Sequence, residues 1–260
     1  MQRDELVDGG SVRWRGRTTS RFRAVTAPWR RVVRRSEVRR DSAASWESMG
    51  YIELANLVRN VCTLCDLTHA KAGEGQSIAV TSACAREGRS TVARLLAISL
   101  AQDHADDVLL LEADLLRPSI AADFGMVPDP GLCEVLDGSA SVREALRHTR
   151  IGNLKVLPAG GAPANASRLL RSQALRDLLD RLADEFAFVV LDLPAVLDSS
   201  DAAVVAKQVG GTVLVVRAGE TEQHDVLQAQ TLLGGATLHG VLLNRYRTAV
   251  PAFARRLLDQ

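Results

Sequence analysis

The sequence predicts an α/β protein: a mostly parallel β-sheet with helices on both faces. Three observations predict it. Six short apolar runs recur from residue 78 onward, helical patterns separate them, and the runs are apolar at nearly every position rather than at alternate ones. Strands buried on both faces read in that way, and their alternation with helices marks parallel crossovers. With 260 residues, 47% hydrophobic and 24% charged, the chain has apolar material for one sizeable core.

Residues 1–45 form a basic extension, expected to be disordered. Within residues 1–41, twelve Arg stand against Asp4, Glu5, Asp8, Glu37 and Asp41, a balance of +7 that leaves −6 for the remainder of a chain whose overall charge is +1. So few periodic apolar positions cannot bury much. Two readings stay open: an arm for an anionic membrane surface, with Trp14, Phe22 and Trp29 inserting at the interface, or a solvated extension. A nucleic-acid partner is not expected.

The main domain spans residues 46–248. Leu54, Leu57, Val58, Val61, Cys62 and Cys65 recur at helical spacing, so Ile52 to Leu67 is expected as an amphipathic helix with both cysteines on its apolar stripe. Strands are expected at Ile78 to Thr81, Val108 to Leu111, Leu154 to Leu157, Phe188 to Leu191, Thr212 to Val216 and Leu238 to Leu243. Helices are expected at Thr91 to Gln102, Ser141 to His148, Ser167 to Phe186, Asp201 to Gln208 and Glu222 to Leu233. A short amphipathic tail, residues 249–260, sets Val250, Phe253, Leu257 and Leu258 against Arg255 and Arg256.

Several classes are excluded. No run reaches the roughly 18 apolar residues of a membrane helix, and the polar, acidic start lacks an apolar segment for secretion, so a cytoplasmic location is expected. Four cysteines make no disulfide framework, and the five histidines show no metal-ligand spacing.

Ligands of open parallel sheets sit at the carboxyl ends of strands. Ser82-Ala83-Cys84-Ala85-Arg86-Glu87-Gly88-Arg89-Ser90-Thr91 follows the first of the six strands and opens the first long helix, the position of a Walker A phosphate loop. In that motif backbone N–H groups cradle phosphates, a lysine compensates their charge and a hydroxyl ligates magnesium. Ala83 stands where the motif opens with glycine, Gly88 keeps the final glycine, Ser90 and Thr91 keep the hydroxyls, and Arg89 replaces the lysine. A guanidinium keeps the charge but spreads it over a longer planar fork. At later strand ends stand Glu112 and Asp114, then Asp192. Ser90, Asp114 and Asp192 make a plausible magnesium set, with Glu112 behind them.

These stations together resemble the bacterial tyrosine kinases of capsule and exopolysaccharide synthesis, the CpsD/CapB-type family, akin to the ParA/MinD ATPases. The likeness covers about residues 50–247. It includes Phe124-Gly125, Pro130-Gly131-Leu132, Leu157-Pro158-Ala159-Gly160, Leu169-Leu170-Arg171-Ser172, Val215-Val216-Arg217-Ala218-Gly219 and Leu242-Leu243-Asn244-Arg245. The resemblance implies a P-loop NTPase fold, ATP and Mg2+ as cofactors, tyrosine autophosphorylation between neighbouring subunits of a homo-oligomer, and a transmembrane adaptor that sets polysaccharide length and export. By position it implies that Ala83, Glu87, Gly88, Arg89, Ser90, Thr91 and Asn244 bind the nucleotide, Asn244 at adenine. Arg89, Asp114 and Asp192 would serve phosphoryl transfer, and Ser90, Asp114 and Asp192 the metal.

The chain departs from the family pattern at defined places. Gly-Glu-Gly-Lys becomes Arg86-Glu87-Gly88-Arg89, Asp-x-Asp-x-Arg becomes Glu112-Ala113-Asp114-Leu115-Leu116, and Asp-Thr-Pro-Pro becomes Asp192-Leu193-Pro194-Ala195. An interface motif keeps Glu53 and Arg59 but lacks an arginine between them, and Tyr51 and Tyr246 are the sole tyrosines. Because phosphoryl transfer rests on positioning and charge, these changes predict weak binding and impaired turnover. The expected function is an ATP-binding, kinase-like regulator of polysaccharide synthesis, peripheral at the inner face of the plasma membrane. The alternatives are an active kinase acting on another chain and a ParA/MinD-like positioning ATPase.

Overall fold

The apolar runs form the strands, with bounds within two residues of those expected at either end. The computed structural model describes Val32–Arg34 and residues 76–245. Parallel strands β2 (Gln76–Ser82), β3 (Val108–Glu112), β5 (Leu154–Leu157), β6 (Phe188–Asp192), β7 (Gly211–Arg217) and β8 (Leu238–Asn244) make the body of the sheet. Short strands close its edges: β1 (Val32–Arg34), parallel to β8, and β4 (Arg147–His148), antiparallel to β5. The order is β1-β8-β7-β2-β6-β3-β5-β4.

Side-chain alternation along the strands divides two cores. Leu109, Leu111, Val189, Leu191 and Leu214 face one side, where helix α6 (Gln173–Glu185) packs Leu175, Leu178, Leu179 and Leu182. Leu110, Val190, Val213 and Val215 face the other, against Val92, Leu95, Leu96 and Leu100 of helix α1 (Arg89–Asp103). Burial of each such leucine contributes about 1.5–3 kcal/mol. Helices therefore cover both faces, as the strand composition predicts.

Short helices α2 (Ile120–Asp123), α3 (Leu132–Asp137) and α4 (Val142–Ala145) lie between β3 and β4, and α5 (Ala166–Leu170) follows β5. Helices α7 (Ser200–Ala206) and α8 (Gln223–Leu232) complete the set among the described residues.

Three expectations change. The helix from Ser141 to His148 is a single turn, capped by Ser141 and Glu144, and Arg147 and His148 turn extended to pair with β5. The helix from Ser167 to Phe186 is broken into α5 and α6. Ser172, extended at ψ 157°, caps the second through Leu175 N, while Arg171 Nε is held 2.7 Å from Asp201 Oδ1. Within the extension expected to be disordered, Val32–Arg34 pair as an edge strand, because β8 offers an unpaired row of backbone groups there. The helix at Ile52 to Leu67, the interface motif, both tyrosines and the tail at 249–260 lie outside the described residues.

Candidate functional site

The loop after β2 emerges between β6 and β7 in the middle of the sheet, with β3 on the far side of β6. Two residues turn it through the left-handed region, Arg86 at φ 64° and Gly88 at φ 94°. Glu87 is buried and ties the loop down. Its Oε2 accepts from Cys84 N at 2.9 Å, and its Oε1 accepts from Arg217 N at 3.4 Å and from Thr221 Oγ1. Asn244 Nδ2 donates to Glu87 O at 2.7 Å, and Leu197 N donates to Ala83 O at 3.1 Å. α1 then begins with no side-chain cap and no acidic residue in its first turn, so its positive end faces outward undischarged.

Arg89, the first residue of α1, is buried and points into a cluster of acids. Its Nη2 is ion-paired with Asp114 Oδ2, and its Nε lies 3.9 Å from Asp192 Oδ1. Asp114 Oδ1 accepts from Arg117 N at 3.1 Å. Asp192, 1% exposed, is hydrogen-bonded by the Ser90 hydroxyl. Burial pushes its carboxyl up to about 7; the Ser90 hydrogen bond and the Arg89 charge oppose that rise, and Glu112 and Asp114 add to it. Both Arg89 Nε and Asp192 Oδ1 are buried without a hydrogen-bond partner.

Above this cluster opens a cavity of about 900 Å³, lined by Arg86, Arg89, Arg117, Arg217 and Arg245 together with Ala85, Gly88, Ser90 and Thr91. Among the described residues no carboxylate lines it. Such a basin, at the N-terminus of a 15-residue helix, is built for a polyanion.

The structure brings Gly88, Arg89, Ser90 and Thr91 to the basin and sets Asp114 and Asp192 beneath Arg89. It does not bring the other expected residues there. Ala83 is fully buried, and Glu87 is spent on bracing the loop. Asn244, expected at adenine, holds the loop from below, with its Oδ1 accepting from Arg245 N at 2.9 Å, because the end of β8 runs under Gly88. Glu112, expected behind a metal, instead accepts from the backbone N–H groups of Ser119, Ile120 and Ala159 and joins the β3 and β5 loops. Sequence reasoning missed Arg117, Arg217 and Arg245 as lining residues. Each lies at or just past a parallel strand's carboxyl end, and that was the available signal.

For a divalent ion the fit is partial. Ser90 and Asp192, whose Oδ1 accepts no hydrogen bond, are hard oxygen donors of the right kind. Asp114 is committed, one oxygen to Arg89 and the other to Arg117 N.

The central strand-loop-helix, the flanking strand-end acids and the parallel sheet define a P-loop NTPase of the ParA/MinD kind. The chain belongs to the family of the cellulose biosynthesis protein BcsQ, whose model matches residues 76–255, and its relatives are bacterial tyrosine kinases. Tyrosine-protein kinase YwqD of Bacillus subtilis (strain 168) is 32% identical over 178 residues, 66% of this chain and 75% of that protein. The succinoglycan biosynthesis transport protein ExoP of Rhizobium meliloti (strain 1021) is 33% identical over 197 residues, 74% of this chain but 25% of that longer protein. The crystal structure of the chimerical protein CapA2B2 superposes with a TM-score of 0.69 at 30% identity, covering 74% of this chain and 85% of the other.

Proposed function

We propose that this chain is an ATP-binding, kinase-like regulator of capsule or exopolysaccharide synthesis and export, with impaired phosphoryl transfer. The observation that carries the reading is the Arg89 guanidinium, which is drawn onto Asp114 beside Asp192 beneath the arginine-lined basin. The open N-terminus of α1 and the arginines hold the phosphates, with Gly88, Ser90 and Thr91 at the loop. Ser90 and Asp192 are the residues that would hold a magnesium ion, which would supply charge stabilisation at phosphate oxygens; Asp114 is committed to Arg89 and Arg117 N. Asp192 and Asp114 hold the guanidinium. That posture leaves neither carboxylate poised for an acceptor hydroxyl, and transfer depends on such positioning.

A transmembrane adaptor as partner is in keeping with relatives such as the succinoglycan biosynthesis transport protein ExoP. Attachment at the inner face of the plasma membrane follows from such a partner or from the basic extension; among the described residues no helix is long and apolar enough to cross a membrane. A second reading, an active kinase acting on another chain, draws support from the kinase relatives and from the meeting of Ser90, Asp114 and Asp192. Labelled ATP, magnesium and a tyrosine-bearing partner peptide separate the two. The impaired reading expects no sustained transfer; steady transfer that disappears in Asp192→Asn establishes the second.

A further inference from the structure

We infer that Arg89 takes the place of a divalent cation in this site, so that the chain holds a nucleoside triphosphate without metal. The inference rests on the reading that this loop binds a nucleotide. Arg89 lines the basin, and its guanidinium reaches both acids under it, bonded to Asp114 and 3.9 Å from Asp192 Oδ1. It gives that pair of carboxylates the positive charge that an ion would otherwise bring. Both oxygens of Asp114 are occupied, so an ion entering the site competes with a guanidinium already seated there.

The second observation concerns the same guanidinium. Arg89 Nε is buried with no hydrogen-bond acceptor, Asp192 Oδ1 standing off at 3.9 Å. Such an N–H is destabilising until it finds an acceptor, and a phosphate oxygen is one of the matching charge. The remaining charge of the polyphosphate meets Arg86, Arg117, Arg217 and Arg245, of which Arg117 and Arg217 also pair with Asp198 and Glu220; among the described residues no carboxylate lines the wall itself. A guanidinium forks two oxygens at once and is weakly hydrated, which suits it to neutralise phosphate where an ammonium needs a metal beside it.

The test compares ATP binding to the full chain by calorimetry in excess magnesium and in EDTA, for the wild type and for Arg89→Lys. The wild type is expected to bind with affinities equal within about twofold in the two buffers, and Arg89→Lys to bind at least about tenfold more weakly in EDTA than in magnesium. A wild type that loses about tenfold or more in EDTA overturns the inference and leaves the nucleotide reading standing. An Arg89→Lys variant as indifferent to metal as the wild type removes the role from Arg89. If that variant fails to fold, the wild-type comparison decides alone. Absence of ATP binding in both buffers overturns the inference and the nucleotide reading together.

Discussion

Gly88 stands at φ 94°, and a Cβ built on it would lie 2.2 Å from Asn244 Nδ2. A side chain there meets backbone strain of about 1–2 kcal/mol and displaces the amide that holds the loop from below. Gly88→Ala is therefore expected to lower stability by at least that amount in urea denaturation and to weaken nucleotide binding, since the loop loses its brace. Asp192 gives a pH signature. Burial pushes its carboxyl up to about 7 from the ordinary 3.8. Between those values the folded state keeps a proton that the unfolded chain has released, so stability falls as pH rises from about 4 to about 7 and levels off above. Asp192→Asn removes this contribution. Thermal melts at pH 5 and pH 8 are expected to show a drop in Tm in the wild type that is smaller in the variant, and an equal drop in both refutes the assignment.

The strands were legible because their apolar runs are near-continuous, and a run such as Val108 to Leu111, buried on both faces, has no other use. Helix ends were less legible. The break between α5 and α6 depends on the Ser172 cap and on the pairing of Arg171 with Asp201, thirty residues away, which helical periodicity does not register. Ser172→Ala is expected to cost about 1 kcal/mol in urea denaturation, the usual loss for a helix cap. The phosphate loop is an element of the same kind, since its shape rests on Glu87 joining Cys84 to Arg217 and Thr221. Glu87→Ala strands the part-buried Cys84 N–H, at a cost of about 1–3 kcal/mol, and is expected to reduce both stability and ATP affinity.

At the scale of the whole molecule, the chain's order conceals the site. Arg86 and Arg89 follow β2, Arg117 follows β3, Arg217 ends β7 and Arg245 follows β8, and only the strand order gathers them around one cavity. Local reading found the loop and the two aspartates because their spacing within each strand-end is fixed. It placed Asn244 at adenine and Glu112 behind a metal for want of the same three-dimensional order, which makes both of them braces. The basin's collective charge is what the account depends on. Calorimetric titration of the full chain with ATP, set beside the double variant Arg117→Ala/Arg217→Ala, tests it most directly. The account predicts saturable binding that weakens by about tenfold or more in the variant; binding of equal strength in both proteins, or none in the wild type, contradicts it.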